Sequence, residues 1–521
     1  MAFDYDYIII GSGFGGSVAA HRLTEKGYRV AVLECGRRYR NEDFPKTNWN
    51  LRKYVWAPHL GMYGIMRYSL LPDLLVVSGS GVGGGSLVYA STLYIPKDSF
   101  FQSEQWRGIK DWKKELMPHY HTAEKMLGVV DSTFLGPADQ ALRLCAEDIG
   151  KGNTFRSTRI GIFTGEPGKT VPDPFFGGKG PDRTGCTLCG GCMVGCRHGA
   201  KNSLDKNYLY FAEAEGAKIF PERMVVDVAA IAGGGYRVTS HRSGAWANKD
   251  RQELTSRGVV FSAGVLGTMK LMMDCKLRGS LPNLSDELGR FVRTNSESVL
   301  AVTARNKDKD YSKGVAIASS IFPDEHTHIE MVRFPSGSDI NTFMFIYLTA
   351  DGSKLTRPLK FLANIAKHPV DFCRSIWPFD WAKRSTIVLA MQTLDNSIRL
   401  TPKRGLGGSI SLLTTQEHGE PNPKYIPVAN DITKRLAEKI NGIPKSSSTE
   451  VLLGCPVTAH ILGGACIGES TKTGVIDPDG RVFGYDNMYV CDGSMITGNV
   501  GVNPSLTITA LSEYVMSHVS A

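Results

Sequence analysis

No run of 18 consecutive apolar residues occurs in this 521-residue chain, so a membrane-spanning helix is not expected. Nor is there a long basic run: 60 Lys and Arg against 51 Asp and Glu leave a net charge of +9 spread along the chain, and a nucleic-acid partner is not expected. The opening MAFDYDYIII lacks the basic stretch, apolar segment and small-residue cleavage site of an export leader, and neither end carries a lipidation motif. The expected compartment is the cytosol. Repeats and low-complexity tracts are missing too, and 42% hydrophobic against 21% charged residues excludes a disordered tail. The eleven cysteines are an odd number, scattered except for four between 186 and 196, which does not suit a disulfide framework.

Glycine is the residue in excess, 57 in all. Its first cluster follows an apolar strand pattern: YDYIII at 5–10 runs into Gly11-Ser-Gly13-Phe14-Gly15-Gly16, then a helical pattern, then a strand ending at Glu34. G-x-G-x-x-G in that frame predicts a dinucleotide site. Gly11 permits the turn, Gly13 lets a pyrophosphate approach the backbone, and Gly16 lets helix and strand pack; Glu34 would accept from ribose hydroxyls. That unit alone fits NAD or FAD. Further cofactor-facing positions at Gly79, Gly83, Gly84 and Ser86, at Val225, at Ala263-Gly264 and at Asp492-Gly493 predict an extended, enclosed cofactor, which favours FAD.

Between about 295 and 412 the texture turns β-rich, with SVLAVTARN, THIEMVRF, TFMFIYLTA, STIVLAMQTL and SIRLTPK. The expected class is therefore mixed α/β (α+β). A Rossmann-like FAD-binding domain is expected over 1–295, an antiparallel-sheet substrate-binding domain over 296–445, and a return to the first domain over 446–521.

Five segments carry a resemblance: GSGFGG with Glu34, GVGGGSLVYAS at 81–91, FSAGVLGTMKL at 261–271, AHILGGACIG at 459–468 and CDGSMITGNVGVNPSLTITAL at 491–511. Together they resemble the glucose–methanol–choline oxidoreductases, and within that family the bacterial cholesterol oxidases; the likeness thins over 100–180 and 340–440. It implies FAD, with Asn503 and Pro504 added to its contacts. It also implies hydride transfer to flavin from the hydroxyl of a bulky apolar alcohol such as a 3β-hydroxysteroid, with O2 or a protein or quinone as electron acceptor. The likeness assigns His460, in His-x-Leu-Gly-Gly, to the hydroxyl proton, Asn503, in Gly-Val-Asn-Pro, to the oxygen, and Glu330, in Glu-x-x-x-x-Pro-x-Gly, to proton movement in double-bond isomerisation. The residue types suit these roles: imidazole titrates near neutrality, an amide donates without charge, and a carboxyl in an apolar pocket has a raised pKa. Two positions depart from the family pattern, Tyr89 standing for an asparagine and Ile461 for a proline. A non-steroid alcohol dehydrogenase passing electrons through an iron–sulfur cluster is the second reading. A non-catalytic electron-transfer or redox-sensing flavoprotein is the third.

Cys186, Cys189, Cys192 and Cys196, in loop 183–200, are spaced C-x2-C-x2-C-x3-C, the ferredoxin spacing without its final proline. An iron–sulfur cluster, [4Fe–4S] or [3Fe–4S], is one reading; structural thiols or a disulfide, and zinc, are the others. Finally, 51–77 and 354–384 mix basic, aromatic and apolar residues. From Lys354 to Arg384 there are seven Lys or Arg and two acids, with Trp377 and Trp381 close together. Peripheral membrane contact and a buried lid helix with a solvated basic face both fit that mixture.

Overall fold

The computed structural model describes residues 2–405 and 410–520. The strand β1 (Tyr5–Ile10) has Ile8, Ile9 and Ile10 fully buried and lies inside a seven-stranded sheet. It pairs in parallel with β2 (Val30–Leu33) on one side and with Gln252–Phe261 on the other. An unbroken apolar run is what a strand covered on both faces requires. Between β1 and β2 the chain crosses over as α1 (Phe14–Glu25), completing the βαβ unit expected of a doubly wound sheet.

Lys218–Phe220 extends this sheet beyond β2, and Tyr236–Arg242 and Arg223–Ala230 close it on the other flank. The far half of Gln252–Phe261 also pairs in parallel with Met488–Val490, so the last part of the chain returns to the first sheet. The C-terminal helix Ser505–Ser517 packs against α1, with Arg22 Nε 2.7 Å from the buried carboxylate of Glu513. Ile10, Leu33, Phe261 and Val490 end their strands on one edge. There the chain turns into Gly11, Glu34, Ser262 and Cys491, and ligands of open α/β sheets bind at that edge.

A second seven-stranded sheet is antiparallel throughout, in the order Phe345–Tyr347, Gly442–Ser447, Ser298–Ala304, Ser385–Gln392, Thr327–Val332, Ile317–Ile321, Arg156–Ser157. One face, with Leu300, Val302, Ile329, Met331, Val388 and Ala390, is covered by the helices Pro137–Asp148 and Pro427–Lys439. The other, with Ala301, Val332, Ile387 and Leu389, packs on Leu87 of the second glycine loop and on Val194 of the cysteine loop. That inner face looks toward the ends of the parallel strands.

SIRLTPK, grouped by its texture with the substrate sheet, lies elsewhere. The hairpin Ser397–Arg404 and Ile410–His418 joins Arg290–Arg293 and Leu462–Gly464 in a separate four-stranded sheet. Its Ile398, Leu400, Ile410 and Leu412 belong to the core of the first sheet. Strand patterning reports a period of two and says nothing of the partner.

Candidate active site

At the shared edge the first glycine loop is held by contacts that only glycine permits. A Cβ on Gly11, whose φ is +102°, would stand 2.3 Å from Ser262 O; one on Gly15, 1.7 Å from Cys491 O; one on Gly16, 2.1 Å from Gly11 O. Gly13 differs. It is the N-cap of α1 with an ordinary φ of −71°, and a Cβ there would meet nothing within 4 Å. No side chain caps α1, so its positive end faces that open space, as a bound pyrophosphate requires. Gly79, Gly83 and Gly84 fold the second loop back on the first: a Cβ on Gly84 would lie 2.6 Å from Gly13 Cα. Ser86 shapes this loop, donating to Gly83 O at 2.7 Å and accepting from Leu204 N at 3.0 Å. The Phe14 ring meets Tyr89 edge to face at 5.3 Å, and the Tyr89 hydroxyl donates to Asn202 O.

Glu34 is buried, and its carboxylate accepts from Ser12 N at 3.0 Å, Ser12 Oγ at 2.7 Å, Gly36 N at 2.8 Å and Gly81 N at 3.3 Å. It thereby fastens the two glycine loops together. Beside it, Arg223 N donates to Glu34 O, which brings the strand carrying half-buried Val225 to the same edge. Ala263 N donates to Thr268 Oγ1, which donates to Asp492 at 2.6 Å; Gly264 opens the helix Gly264–Arg278, and Gly493 follows the aspartate. Burial pushes the Asp492 carboxyl up from its ordinary value. Asn503 and Pro504 precede the helix Ser505–Ser517, which also has no side-chain cap. The open room at Gly13 and the uncapped end of α1 fit a dinucleotide.

The candidate reacting groups come from different elements. His460 stands just before Leu462–Gly464, and its Nδ1 hydrogen-bonds the buried carboxylate of Glu297. Glu297 Oε2 also accepts from Ala459 N at 2.8 Å, and His460 N donates to Thr458 Oγ1 at 3.0 Å, so ring and backbone are both held. Burial opposes the imidazolium, but the charge and hydrogen bond of Glu297, with Glu330 adding to them, raise the His460 pKa above its usual value. Among the described residues nothing hydrogen-bonds its Nε2.

Glu330 lies in Thr327–Val332 on the inner face of the second sheet, opposite Leu389 and fully buried. Burial pushes its pKa up to about 7, against the hydrogen bond from Asn503 and the charge of His460. Asn503 Nδ2 donates to Glu330 Oε2 at 3.2 Å, while Glu330 Oε1 and Asn503 Oδ1 have no partner. His460, Asn503 and Glu330 thus gather at one place, with unmatched polar atoms that a substrate or cofactor would complete. Cys186, Cys189, Cys192 and Cys196 surround a cavity of their own.

Four residues have no signal in the sequence. Glu297 orients His460 from 163 residues away. Asn295, at φ +59°, donates to Val502 O at 3.0 Å and accepts from Gly501 N at 2.7 Å, fixing the loop that presents Asn503. Buried Arg293 donates to Thr497 O at 2.8 Å in the same loop. His328, two residues before Glu330 on the same face, is buried without a hydrogen-bond partner for either ring nitrogen and stacks on Phe322 at 4.5 Å. A short polar stretch, Thr294-Asn295-Ser296-Glu297, reads locally as an ordinary loop, and only the folded chain reveals its partners.

The two glycine environments separate folding from binding. Gly13→Ala keeps the thermal unfolding midpoint near that of the parent and weakens FAD retention by about tenfold or more, measured as bound flavin after dialysis. Gly15→Ala forces a methyl into Cys491 O and lowers stability by about 3 kcal/mol in denaturant unfolding.

Comparison with known proteins agrees with this geometry. Residues 180–288 and 413–512 match the two family models described as GMC oxidoreductase, and residues 9–40 match an NAD(P)-binding Rossmann-like domain. A cholesterol oxidase of Acinetobacter baumannii is 48% identical over 100% of this chain and 95% of its own length. One of Mycobacterium tuberculosis is 49% identical over 98% of this chain and 90% of its own. The crystal structure of pyridoxine 4-oxidase from Mesorbium loti, at 14% identity and a TM-score of 0.62, covers 98% of both chains and shows the same fold. With nearly half of its residues shared along the full length, and a dinucleotide cradle joined to a held imidazole, the chain belongs to the GMC oxidoreductases, FAD-dependent enzymes acting on CH–OH donors.

Proposed function

We propose that this enzyme oxidises the 3-hydroxyl of a sterol to the ketone with O2 as electron acceptor, releasing hydrogen peroxide, and then moves the ring double bond into conjugation. The observation that carries this reading is the Asn503–Glu330 pair, set on an apolar sheet face beside an imidazole held by Glu297. Relatives named cholesterol oxidase, similar over the whole chain, support it.

Bound FAD supplies the acceptor for the carbinol hydride. Because His460 Nδ1 is engaged by Glu297, Nε2 is the atom that accepts the hydroxyl proton, and the Glu297 carboxylate stabilises the imidazolium that results. The second N–H of the Asn503 amide is left to donate to the substrate oxygen. Glu330, a carboxyl poised near neutrality by burial, removes the proton between ketone and double bond and returns it at the far end of the shifted bond. The apolar side chains around it exclude water from that transfer.

The helix Thr356–Lys367 supports an entry side for such a substrate. Leu359 and Leu362, with Leu355 before them, present a stripe to solvent at 58 to 81% exposure, and Trp377 and Phe379 are exposed nearby in sequence. Lys354, Lys360, Lys367, Arg374 and Lys383 are exposed among them, whereas Arg357, Arg384 and Trp381 are buried. The exposed stripe does not suit a buried lid and suits an anionic lipid surface. The other mixed segment, 51–77, runs from the short helix Leu51–Tyr54 through the strand pair Trp56–Ala57 and Met62–Tyr63 into the hairpin of Met66–Leu70 and Leu75–Gly79. No helix among the described residues is long and apolar enough to cross a membrane.

Ketone and peroxide should form in equal amounts from a 3β-hydroxysterol in air; absence of either defeats the proposal. Glu330→Gln should still oxidise the sterol but accumulate the unconjugated ketone, its isomerisation slowed by about 10²-fold or more. In the parent enzyme, isomerisation of that ketone added directly should rise with pH through about 7, because the carboxylate, the basic form, is populated above its pKa. Sedimentation with vesicles containing anionic lipid should carry the protein down at low salt, and Leu359→Glu with Leu362→Glu should release it.

A further inference from the structure

The cysteine loop has no part in the chemistry of His460, Asn503 and Glu330. Cys186, Cys189, Cys192 and Cys196 line one cavity together with Lys201 and Gly314. Only Cys192 is buried; the other three thiols are partly exposed, and none is in a disulfide. The loop is shaped by contacts with the second sheet and its flanks. Gly190 N donates to Gly314 O at 2.8 Å, and a Cβ on Gly190 would stand 2.3 Å from Ser312 O. A Cβ on Gly195 would enter the Phe44 ring. Leu188 N already donates to Cys186 Sγ at 3.4 Å, the kind of N–H···S contact that stabilises a thiolate ligand.

Two further observations point to what the cavity holds. Among the described residues, no three of these thiols lie within 4.8 Å of one another. One zinc ion would gather its sulfurs to roughly 4 Å apart, closer than any three of these thiols stand, whereas a larger iron–sulfide core holds its thiolates further apart. The second observation is charge. Lys201 is 2% exposed and Arg183 is 1% exposed, yet neither pairs with a carboxylate. Lys201 Nζ donates only to the carbonyls of Leu87, Tyr89 and Cys192; Arg183 donates to those of Gly199, Ala200 and Lys201. Asp205, four residues beyond Lys201, bonds Lys206 and Ser203 and reaches Lys201 and Arg183 only through its charge at a distance. Two buried cations without a directly paired counterion are costly unless something negative lies beside them.

We infer that the cavity of Cys186, Cys189, Cys192 and Cys196 binds a cubane-type iron–sulfur cluster, whose negative charge is matched by Lys201 and Arg183. With four thiolates an oxidised [4Fe–4S] cluster carries about two negative charges, equal to the two buried cations. Lys201 also ties the site to the cofactor cradle, since its ammonium bonds both Cys192 O and the carbonyls of Leu87 and Tyr89 in the second glycine loop.

Full-length protein purified without oxygen should contain about four iron and four acid-labile sulfide per chain, or about three iron if one thiol does not ligate. It should give a cluster electron paramagnetic resonance signal on reduction or, in the three-iron form, as isolated. Cys192→Ser should lose iron and sulfide and lower the unfolding midpoint, while flavin bound per folded chain stays near that of the parent; Cys455→Ser, outside the cavity, should keep its iron and sulfide. If Cys192→Ser fails to fold, Lys201→Gln provides the second reading, with the cluster lost several-fold faster to a chelator than in the parent. Protein that stays free of iron after anaerobic reconstitution, that holds stoichiometric zinc, or that forms a disulfide among these cysteines overturns the inference. None of those results touches the sterol chemistry, which is read from ketone and peroxide.

Discussion

Two carboxylates buried at the antiparallel sheet hold the side chains proposed as catalytic, which come from another part of the chain. Glu297 sits just before Ser298–Ala304, and Glu330 within Thr327–Val332. Each is almost wholly removed from solvent. A carboxylate in that position needs a partner, because an unpaired buried charge costs several kcal/mol. The partners come from the C-terminal stretch: the imidazole of His460 for Glu297, the amide of Asn503 for Glu330. The site exists only where the two sheets meet, and the same ion pairing and hydrogen bonding that assemble it also set its protonation.

The cofactor side follows a different rule. There the close contacts are backbone to backbone, with Gly11, Gly15 and Gly16 drawing α1 onto strand ends that carry Ser262 and Cys491. Glu34 then joins the two glycine loops through backbone N–H groups and the Ser12 hydroxyl. Room is left at Gly13 and at the uncapped end of α1. Between the two sides, Arg293 and Asn295 fasten the loop from Thr497 to Val502 that delivers Asn503.

Much of this is local and therefore legible in the sequence. The Gly11-x-Gly13-x-x-Gly16 unit ending at Glu34 works within thirty residues or so, and its spacing states its purpose. His460, Asn503 and Glu330 have no such local mark; resemblance alone singled them out, and the folded chain gathers them. Glu297 lay beyond both routes, because its meaning depends on a histidine far along the chain. The hairpin Ser397–Arg404 and Ile410–His418 shows the same limit for folding, since alternation identifies a strand but not its sheet. Trp381 was grouped with Trp377 by proximity, yet one turn of backbone places it inside, parallel to the Phe345 ring at 5.9 Å, while Trp377 stays exposed.

The account rests on an imidazole whose proton affinity is set by a buried carboxylate. Its most direct test is the rate of flavin reduction by sterol without oxygen in Glu297→Gln, which keeps the shape of the side chain and removes its charge. A rate lower by about 100-fold or more, with flavin content unchanged, is the result predicted. A rate within about twofold of the parent would show that Glu297 does not tune His460 and would contradict the account.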